Sequence, residues 1–363
     1  MGTLQSYHLI STWKSLLRVD QHRSSKTFLW LLIAQSCLSL IISGCTSSNP
    51  VNSTVKNVSN QSQNTVVAKN PESQKQTVVR IGYIKGSLSA IVKERGTLER
   101  ELGPKNIKIE WVGTFPSFAP VLETINAKSS DLGAGGDIAG LSALSGGINA
   151  CIIAHRPANR NSEGIVVHAD SPIRTFDDLA GKKVIVNRGG ISEHLLLKLL
   201  EKKKIAKEQV KRVYMKPDEA LPAWASRHVD AWAVWDPWVA TAELKYKARQ
   251  IPLPATVPHY SLYMVHREAF AEKSAAIKDV IAILSKEAEW LNKHPQENQA
   301  LYQKVSGLPP EVVKKTFERR PVDGVLPLNP KLVNELQDAA DWLQQQGVVQ
   351  KRVVVKDALC PNT

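Results

Sequence analysis

The stretch that decides the fold is Val229-Asp230-Ala231-Trp232-Ala233-Val234-Trp235-Asp236-Pro237-Trp238. Its apolar run predicts a strand that ends at Asp236, a residue type favoured at helix N-caps. Pro237 follows, and proline suits the first position of a helix. A strand that leads directly into a helix places the connecting loop at the carboxyl end of a sheet, where open α/β sheets bind ligands. Trp235 and Asp236 are therefore candidate ligand-binding residues, although tryptophans at such positions are also common in cores.

Strands and helices alternate on both sides of this stretch, from Val78 onward. Besides the stretch itself, the predicted strands are Val78–Tyr83, Ile107–Val112, Asp131–Ala134, Ala150–Ala154, Gly164–His168, Lys183–Asn187, Val210–Met215 and Tyr260–Val265. The predicted helices are Leu88–Glu101, Ser117–Lys128, Asp137–Leu144, a short one at 176–181, Ser192–Lys203, Asp218–Arg227, Ser274–Lys293, Pro295–Val305, Pro310–Phe317 and Pro330–Gln346. This alternation predicts an α/β fold with two parallel-type sheets flanked by helices.

The order of these elements predicts two lobes. The first lobe comprises residues 77–163 and 266–363, and the second comprises residues 164–265. Two chain crossings join them, near Gly164–His168 and near Ser261–His266. We expect the ligand in the cleft between the lobes, because clefts of this kind are favoured binding sites.

Residues 1–45 have the pattern of a secretory signal peptide with a lipobox. Four basic residues precede a short apolar stretch, 27–42, that polar residues interrupt: Lys14, Arg18, Arg23 and Lys26. Such a stretch indicates a signal peptide and not a membrane span. It ends in Ile42-Ser43-Gly44-Cys45, and small residues directly before a cysteine resemble a bacterial lipobox in which Cys45 is lipidated. The alternative is an ordinary cysteine in a signal anchor.

Residues 46–76 are rich in Ser, Asn, Gln, Thr and Val and show no helical or strand period. Such a segment cannot bury enough apolar surface to offset its ordering entropy, which predicts a flexible tether. Lipid, tether and globular body together predict a protein of the periplasm, or of the outer face of the bacterial cytoplasmic membrane, held by a lipid anchor.

The charge balance favours an anionic partner. The chain has 47 Lys and Arg against 34 Asp and Glu, a formal net charge of +13 at pH 7, and a positive excess attracts anions or anionic surfaces. No run of basic residues interleaved with aromatics predicts nucleic-acid binding. Cys151 and Cys360 are the cysteines after Cys45, and the sequence alone does not place them together.

Neither a catalytic nor a metal site is predicted. No nucleophile–base pair has a recognisable spacing, no G-x-S-x-G motif is present, and no cysteine or histidine spacing fits a metal site. We therefore expect no cofactor and no enzymatic activity. A two-lobed enzyme stays as the alternative.

Several stretches between Val78 and Val355 resemble the solute-binding proteins of ABC transporters for aliphatic sulfonates, a family close to the nitrate- and taurine-binding proteins. They occur in the family's order and include Ile81–Leu88, Phe115-Pro116, Ser171–Thr175, Asp178–Val184, Val229–Pro237, Arg319-Arg320-Pro321 and Pro327-Leu328-Asn329. The resemblance implies a two-lobed periplasmic-binding-protein fold of type II that closes on its ligand by hinge motion. It also implies a monomer that delivers its ligand to an ABC permease with an ATPase partner.

A sulfonate is a compact anion that suits helix N-termini, because free N–H groups and the positive end of the dipole point at it. In this family's arrangement, three loops of the chain place such termini at the cleft. The candidate binding residues are Lys85, Gly86 and Ser87 in the first loop, Gly135, Gly136 and Asp137 in the second, Arg188, Gly189, Gly190 and Ser192 in the third, and Ser117, Phe118, Trp235 and Asp236 beside them. Asp137 and Asp236 are expected to cap their own helices; a carboxylate would repel a sulfonate but could meet an amine or a hydroxyl.

The chain departs from the family in these loops. Sulfonate-binding relatives carry hydroxyl side chains where this chain has Ala134, Gly135, Gly190 and Ile191. Phe118 replaces a small residue, which adds a phenyl ring near the cleft. Fewer hydroxyl donors and more apolar surface predict a larger or less highly charged ligand than a short alkanesulfonate. Nitrate, taurine or a pyrimidine precursor remain alternative ligands, and a sensor or adhesion lipoprotein remains an alternative role.

Overall fold

The fold was obtained as a computed structural model, which describes residues 76–159, 161–320 and 324–361, without the side chains of residues 158 and 159. The predicted signal peptide, the lipobox with Cys45 and nearly all of the tether lie outside the described residues. Within the described part, no helix is both long enough and apolar enough to cross a membrane.

Strands and helices alternate as the sequence predicts. The strands are β1 (Thr77–Ile84), β2 (Ile107–Phe115), β3 (Leu132–Gly136), β4 (Ala150–Asn159), β5 (Glu163–Val167), β6 (Lys183–Val186), β7 (Lys211–Tyr214), β8 (Ala231–Trp235), β9 (Arg249–Gln250) and β10 (His259–His266). The helices are α1 (Leu88–Arg95), α2 (Thr97–Leu102), α3 (Phe118–Asn126), α4 (Asp137–Ser145), α5 (Ile191–Lys203), α6 (Pro217–Ala225), α7 (Trp238–Tyr246), α8 (Arg267–Lys293), α9 (Pro295–Ser306), α10 (Pro310–Arg319) and α11 (Pro330–Gln345).

The strands form two five-stranded sheets, in the orders β2-β1-β3-β10-β4 and β7-β6-β8-β5-β9. Both sheets are mixed, so the prediction of parallel-type sheets is wrong in this respect. β10 runs antiparallel to β3 and β4, and β5 runs antiparallel to β8 and β9. These are the two strands at which the chain passes from one sheet to the other, and a strand reached by such a short passage need not take the direction that a crossover helix imposes.

The passages between the sheets lie a few residues from the predicted ones. The chain leaves the first sheet after Asn159 and enters the second at Glu163; it returns between Gln250 and His259. The predicted crossings at Gly164–His168 and Ser261–His266 instead fall largely within β5 and β10. Their apolar residues pair in the sheet interiors, and the loops before them make the passages.

The deciding stretch forms β8 and the start of α7. Ala231 to Val234 are buried, and Trp232 is 2% exposed in the core of the second sheet, next to the buried Trp224. Trp235 is only half-buried and lies at the open end of the strand. Trp232 is therefore a core residue, whereas Trp235 remains a candidate ligand-binding residue. Pro237 occupies the N-cap and α7 begins at Trp238, one residue later than predicted.

Two helix boundaries differ from prediction. The predicted helix Leu88–Glu101 is broken at Gly96, whose φ of 62° lies in the left-handed region and separates α1 from α2. Helix α8 begins at Arg267 instead of Ser274 and includes a non-helical residue, Lys273. The Nζ atom of Lys273 donates to Asp131 Oδ2 and to the carbonyl oxygen of Val78, which ties this kink to the first sheet.

A disulfide joins β4 to the C-terminal segment. Cys151 and Cys360 lie 209 residues apart in sequence, and their Cα atoms are 4.9 Å apart. Both cysteines are buried beside the first sheet. The expectation that Cys151 is a core residue is met, and the pairing that the sequence left open is made.

Candidate functional site

A cleft of about 980 Å³ is lined by residues of both sheets. Its walls come from the loops that follow the carboxyl ends of β1, β2, β3, β6 and β8, and from residues of α9, α10 and β10. The strand-to-helix loops thus meet at one place, as expected for an open α/β sheet.

Eleven of the fourteen predicted ligand-binding residues line this cleft. They are Lys85, Gly86, Ser87, Ser117, Phe118, Gly135, Gly136, Arg188, Gly189, Trp235 and Asp236. The other three, Asp137, Gly190 and Ser192, do not line it.

These three residues serve the local backbone instead. Asp137 is 3% exposed and accepts hydrogen bonds from the backbone N–H groups of Ile138 and Tyr260, both at 2.8 Å. Ser192 Oγ accepts a hydrogen bond of 2.9 Å from the backbone N–H of Asn187 and donates to Asn187 Oδ1. A Cβ atom on Gly190 would fall 1.7 Å from Asn187 Nδ2, so the packing of this loop requires glycine.

The N-terminus of α1 is the most favourable of the three for an anion. Ser87 caps it with a neutral hydroxyl that accepts from the backbone N–H of Ala90 at 3.3 Å, and its first turn contains no acidic residue. Lys85 lies in the same loop and lines the cleft. The positive end of this helix dipole is therefore not cancelled by the helix's own side chains.

The N-terminus of α4 is already occupied by protein groups. Gly136 is its N-cap, the carboxylate of Asp137 accepts from the backbone N–H of Ile138 in the first turn, and apolar side chains cover the preceding glycines. A Cβ atom on Gly135 would lie 2.2 Å from Phe118 Cγ, and one on Gly136 would lie 2.7 Å from Ile191 Cδ1. The Phe118 ring therefore takes the space into which a side chain at position 135 would project. Phe118 and Gly135, noted separately as departures from the family, are thus neighbours in space.

The N-terminus of α5 also carries its own acid. Glu193 accepts a 2.8 Å hydrogen bond from the backbone N–H of Gly189, and further ones from Arg212 and from the Tyr214 hydroxyl. Arg188 stacks over the Tyr214 ring, with its Cζ atom 3.7 Å from the ring centroid. This end of the cleft is charged, but the Gly189 N–H group and the Arg212 side chain already donate to Glu193, and Arg188 stacks on Tyr214.

The helices after β10 supply a wall that the sequence did not predict. Tyr302 of α9 and Thr316 of α10 are buried and line the cleft, and Arg320, directly after α10, lines it with them. A Cβ atom on Gly86 would lie 3.1 Å from Tyr302 Cε2; Gly86 adopts a φ of +72°, so both space and backbone favour glycine there. Burial raises the pKa of Tyr302 to about 12, which keeps its phenol neutral. The sequence signal for this wall was weak, because these residues lie in amphipathic helices far along the chain.

An ion-pair cluster crosses from α10 to the second sheet. Arg319 Nε and Nη2 donate to the two carboxylate oxygens of Asp236 at 2.7 and 2.8 Å, and Nη1 donates to Glu243 at 2.9 Å. Asp236 Oδ1 also accepts from the backbone N–H of Ala240. Asp236 was expected at the N-cap, but Pro237 takes that position; Asp236 precedes it and still accepts from the first turn of α7, so both of its oxygens are engaged.

Three buried titratable groups lie where the chain passes between the sheets. Glu163 begins β5 and His259 begins β10, with Oε1 and Nδ1 2.5 Å apart, and Asp137 acts electrostatically on both. Burial raises the pKa of Glu163 and raises that of Asp137 to about 6. Burial alone would lower the pKa of His259, but Glu163 and Asp137 outweigh this effect and raise it.

No cluster of three or more His, Cys, Asp or Glu side chains among the described residues could hold a metal ion. The residues that line the cleft offer hydrogen-bonding groups, charged side chains and apolar surface. Such a site can bind an anion and an apolar body together.

Comparison with known proteins supports a binding role. The model of the family "NMT1/THI5 like" matches residues 118–298. A protein of Escherichia coli (strain K12), named for aliphatic sulfonate binding, is 32% identical over 287 residues, which cover 78% of this chain and 89% of that protein. A protein of Bacillus subtilis (strain 168) with the same name is 27% identical over 286 residues, or 77% of this chain and 85% of that one.

Solved structures agree with these relatives. The alkanesulfonate-binding protein SsuA from Xanthomonas axonopodis pv. citri, bound to MOPS, superposes with a TM-score of 0.72 at 31% identity, covering 78% of this chain and 98% of that one. The periplasmic SsuA from Escherichia coli superposes with a TM-score of 0.69 at 29% identity, covering 79% and 92%. The desulfurization enzyme DSZB shares only 16% identity, with a TM-score of 0.58 in its complex with biphenyl-2-sulfinic acid, and this likeness shows the fold alone.

The two-sheet fold and the cleft define a solute-binding protein with the periplasmic-binding-protein fold, as the sequence predicted. More narrowly, the chain belongs to the family of aliphatic sulfonate-binding proteins. The relatives at this level of identity are binding proteins and not enzymes, in agreement with the expected lack of catalysis.

Proposed function

We propose that this protein is the extracytoplasmic solute-binding component of an ABC importer and binds an organic sulfonate in the cleft between its sheets. The observation that carries the proposal is the N-terminus of α1, which faces the cleft with no acidic residue in its first turn and with Lys85 beside it. A sulfonate offers three acceptor oxygens and one negative charge, which suit free N–H groups at a helix start. The names of the relatives point to the same ligand class.

The ligand is an organic sulfonate with a bulky apolar body. Phe118, Leu122, Ala139 and Ala143 line one side of the cleft. Phe118 stands over Gly135, where the family resemblance implies a hydroxyl side chain. Contact with apolar atoms replaces hydrogen bonding on this side, so affinity should increase with the apolar area of the ligand.

The arrangement of the two acidic candidates disfavours taurine. Its amine would require a carboxylate with an available oxygen. Arg319 and Ala240 engage Asp236, and backbone N–H groups engage both oxygens of Asp137. Binding of an amine at Asp137 or Asp236 would therefore have to displace an existing partner.

The N-terminal segment fits the same role. Residues 1–45 are proposed to direct export, Cys45 to carry the lipid, and residues 46–76 to tether the body at the outer face of the membrane. Lobes comprising residues 77–163 with 266–363 and residues 164–265 are proposed to close on the ligand, and a permease with its ATPase is the proposed partner of a monomeric binding protein. Incorporation of labelled palmitate that is lost in Cys45→Ser tests the anchor.

A thermal-shift screen of the purified full-length protein tests the ligand. The panel runs from ethanesulfonate to octanesulfonate and includes benzenesulfonate, naphthalenesulfonate, taurine, sulfate and nitrate. A ligand present at about 100 times its dissociation constant stabilises the folded state by about 2.7 kcal/mol. We expect the shift in Tm to increase with ligand size and to be small for taurine. The absence of a shift with every sulfonate would refute the sulfonate proposal.

A further inference from the structure

The hydroxyl group of Thr316 is buried at the cleft without a hydrogen-bond partner among the described residues. The residue is 4% exposed. A threonine in a helix commonly donates to a backbone carbonyl of the preceding turn. Thr241 of α7, which also lines the cleft, does so to the carbonyl oxygen of Pro237 at 2.8 Å. The Thr316 hydroxyl is buried without this compensation, which is costly unless a partner is supplied from the cleft.

The neighbours of Thr316 on α10 orient this face of the helix. Arg319 lies three residues further on, a spacing that shares one helix face, and Arg320 follows directly after the helix. Arg319 pairs with Asp236, which follows β8 of the second sheet, and Arg320 places its Cζ atom 5.0 Å from the Tyr302 ring centroid. The face that carries Thr316 is thus turned toward the second sheet and toward Tyr302.

Tyr302 connects this face to the N-terminus of α1. Its ring packs against Gly86, with Cε2 3.1 Å from the position that a Cβ atom would take. Ser87 follows and caps α1. The Thr316 hydroxyl and the helix start therefore belong to the same end of the cleft.

The charges at this end favour a negative partner. The α1 dipole, Lys85 and Arg320 contribute positive potential. The nearby carboxylate of Asp236 is offset by two hydrogen bonds from Arg319. In this positive potential, the Thr316 hydroxyl should donate a hydrogen bond to an anion and not accept one from a cation.

We propose that Thr316 Oγ1 donates a hydrogen bond to a sulfonate oxygen and, with the N-terminus of α1, forms the subsite for the anionic head of the ligand. This inference rests on the proposed function, because it assigns the partner of the hydroxyl to a sulfonate. The apolar body of the ligand then extends toward Phe118 and Leu122, which also line the cleft.

Calorimetric titration of the full-length protein with octanesulfonate and with benzenesulfonate tests the subsite. Thr316→Val removes the hydroxyl and keeps the shape, and we expect it to weaken binding by about 10- to 100-fold, the range for a hydrogen bond to a charged group. Thr316→Ser should keep most of the affinity. Thr124→Val is the control: its hydroxyl donates to the carbonyl oxygen of Val121 at 2.7 Å inside α3, and Thr124 does not line the cleft. Affinity should change by less than about twofold, while the Tm of the free protein falls as that hydrogen bond is lost.

The Tm of the free protein separates a ligand role from a structural one. Thr316→Val removes a polar group that lacks a partner, so the Tm of the unliganded variant should stay the same or rise. A marked fall in this Tm would show that the hydroxyl is structural and would overturn the inference. Wild-type protein that binds a sulfonate no better than Thr316→Val would overturn the inference and leave the proposed function intact. Wild-type protein that binds neither sulfonate would refute the proposed function, and this assignment with it.

Discussion

Asp137 shows how a residue can be recognised in sequence and still be given the wrong role. Its position after a glycine-rich loop marked it as a helix N-cap at the cleft. In the structure Gly136 is the N-cap and Asp137 is the first residue of α4, and both of its oxygens accept from backbone N–H groups away from the cleft. The pattern defines the residue's place on its own helix. The direction of its side chain depends on β10, which lies more than a hundred residues later in the chain.

The raised pKa of Asp137 predicts a pH-dependent stability. The unfolded carboxyl titrates near 3.8 and the folded one near 6, so the folded state binds this proton more tightly, and the stability that it contributes is lost as the pH rises through this window. Asp137→Asn stays neutral at every pH. We expect the Tm of the variant, relative to wild type, to rise between about pH 4 and pH 7, as measured by calorimetry.

Asp178 provides a control of opposite sign. Backbone N–H groups of Thr175 and Arg174 stabilise its carboxylate and lower its pKa. Asp178→Asn should therefore lose stability relative to wild type as the acid ionises with rising pH. Curves of Tm against pH that run parallel for wild type and Asp137→Asn would contradict the assignment of the Asp137 shift to burial.

At the level of elements, α10 and α7 are joined by the Arg319 ion-pair cluster. Arg319 is 18% exposed and the Asp236 side chain 3%. Arg319→Met keeps most of the side-chain stem and leaves Asp236 buried without its countercharge. Removing one partner of a buried ion pair typically costs about 3–5 kcal/mol, and we expect a loss at the lower end in urea unfolding, because Ala240 still donates to Asp236.

Lys315 offers the matched control for this cluster. Its Nζ atom lies 3.7 Å from Glu243 Oε2, and the side chain is 33% exposed. An ion pair of this kind contributes little, so Lys315→Met should change the free energy of unfolding by less than about 1 kcal/mol. Equal effects of Arg319→Met and Lys315→Met would mean that the cluster does not connect the two helices energetically.

Most elements were predictable because their patterns are local. The apolar run of β8 and the strand-to-helix loops at Gly86, Gly135 and Gly189 follow from residues a few positions apart. The wall formed by Tyr302 and Thr316 was not predictable. It depends on α9 and α10 packing back against loops some two hundred residues earlier, and amphipathic periodicity does not encode which partner a helix face meets.

For the whole molecule, strand direction and the disulfide were beyond the reach of the sequence. An apolar run has the same pattern in a parallel and an antiparallel strand, so the directions of β5 and β10 could not be read from it. The spacing of Cys151 and Cys360 likewise carries no information on their pairing. The strand directions follow from how the chain passes between the sheets, and the disulfide from the return of the C-terminal segment to β4, where Leu359 pairs with Ile152.

The disulfide should contribute measurably to stability. It joins two cysteines that are 209 residues apart in sequence. Loss of a native disulfide typically lowers the free energy of unfolding by about 2–5 kcal/mol. We expect dithiothreitol to lower the Tm of wild-type protein. In Cys360→Ala the Tm should already be low and should not respond to the reductant. A wild-type Tm that is unchanged after complete reduction, verified by mass spectrometry of alkylated protein, would contradict this expectation.

The central claim is that the cleft binds the head of an organic sulfonate at the start of α1. A crystal structure of the protein grown with para-bromobenzenesulfonate tests it most directly, because anomalous scattering from bromine marks the ligand's body and fixes its orientation. We expect a sulfonate within hydrogen-bonding distance of Thr316 Oγ1 at the α1 N-terminus, with bromine toward Phe118. Bromine at the α1 end, or a saturated crystal with no ligand in the cleft, would contradict it.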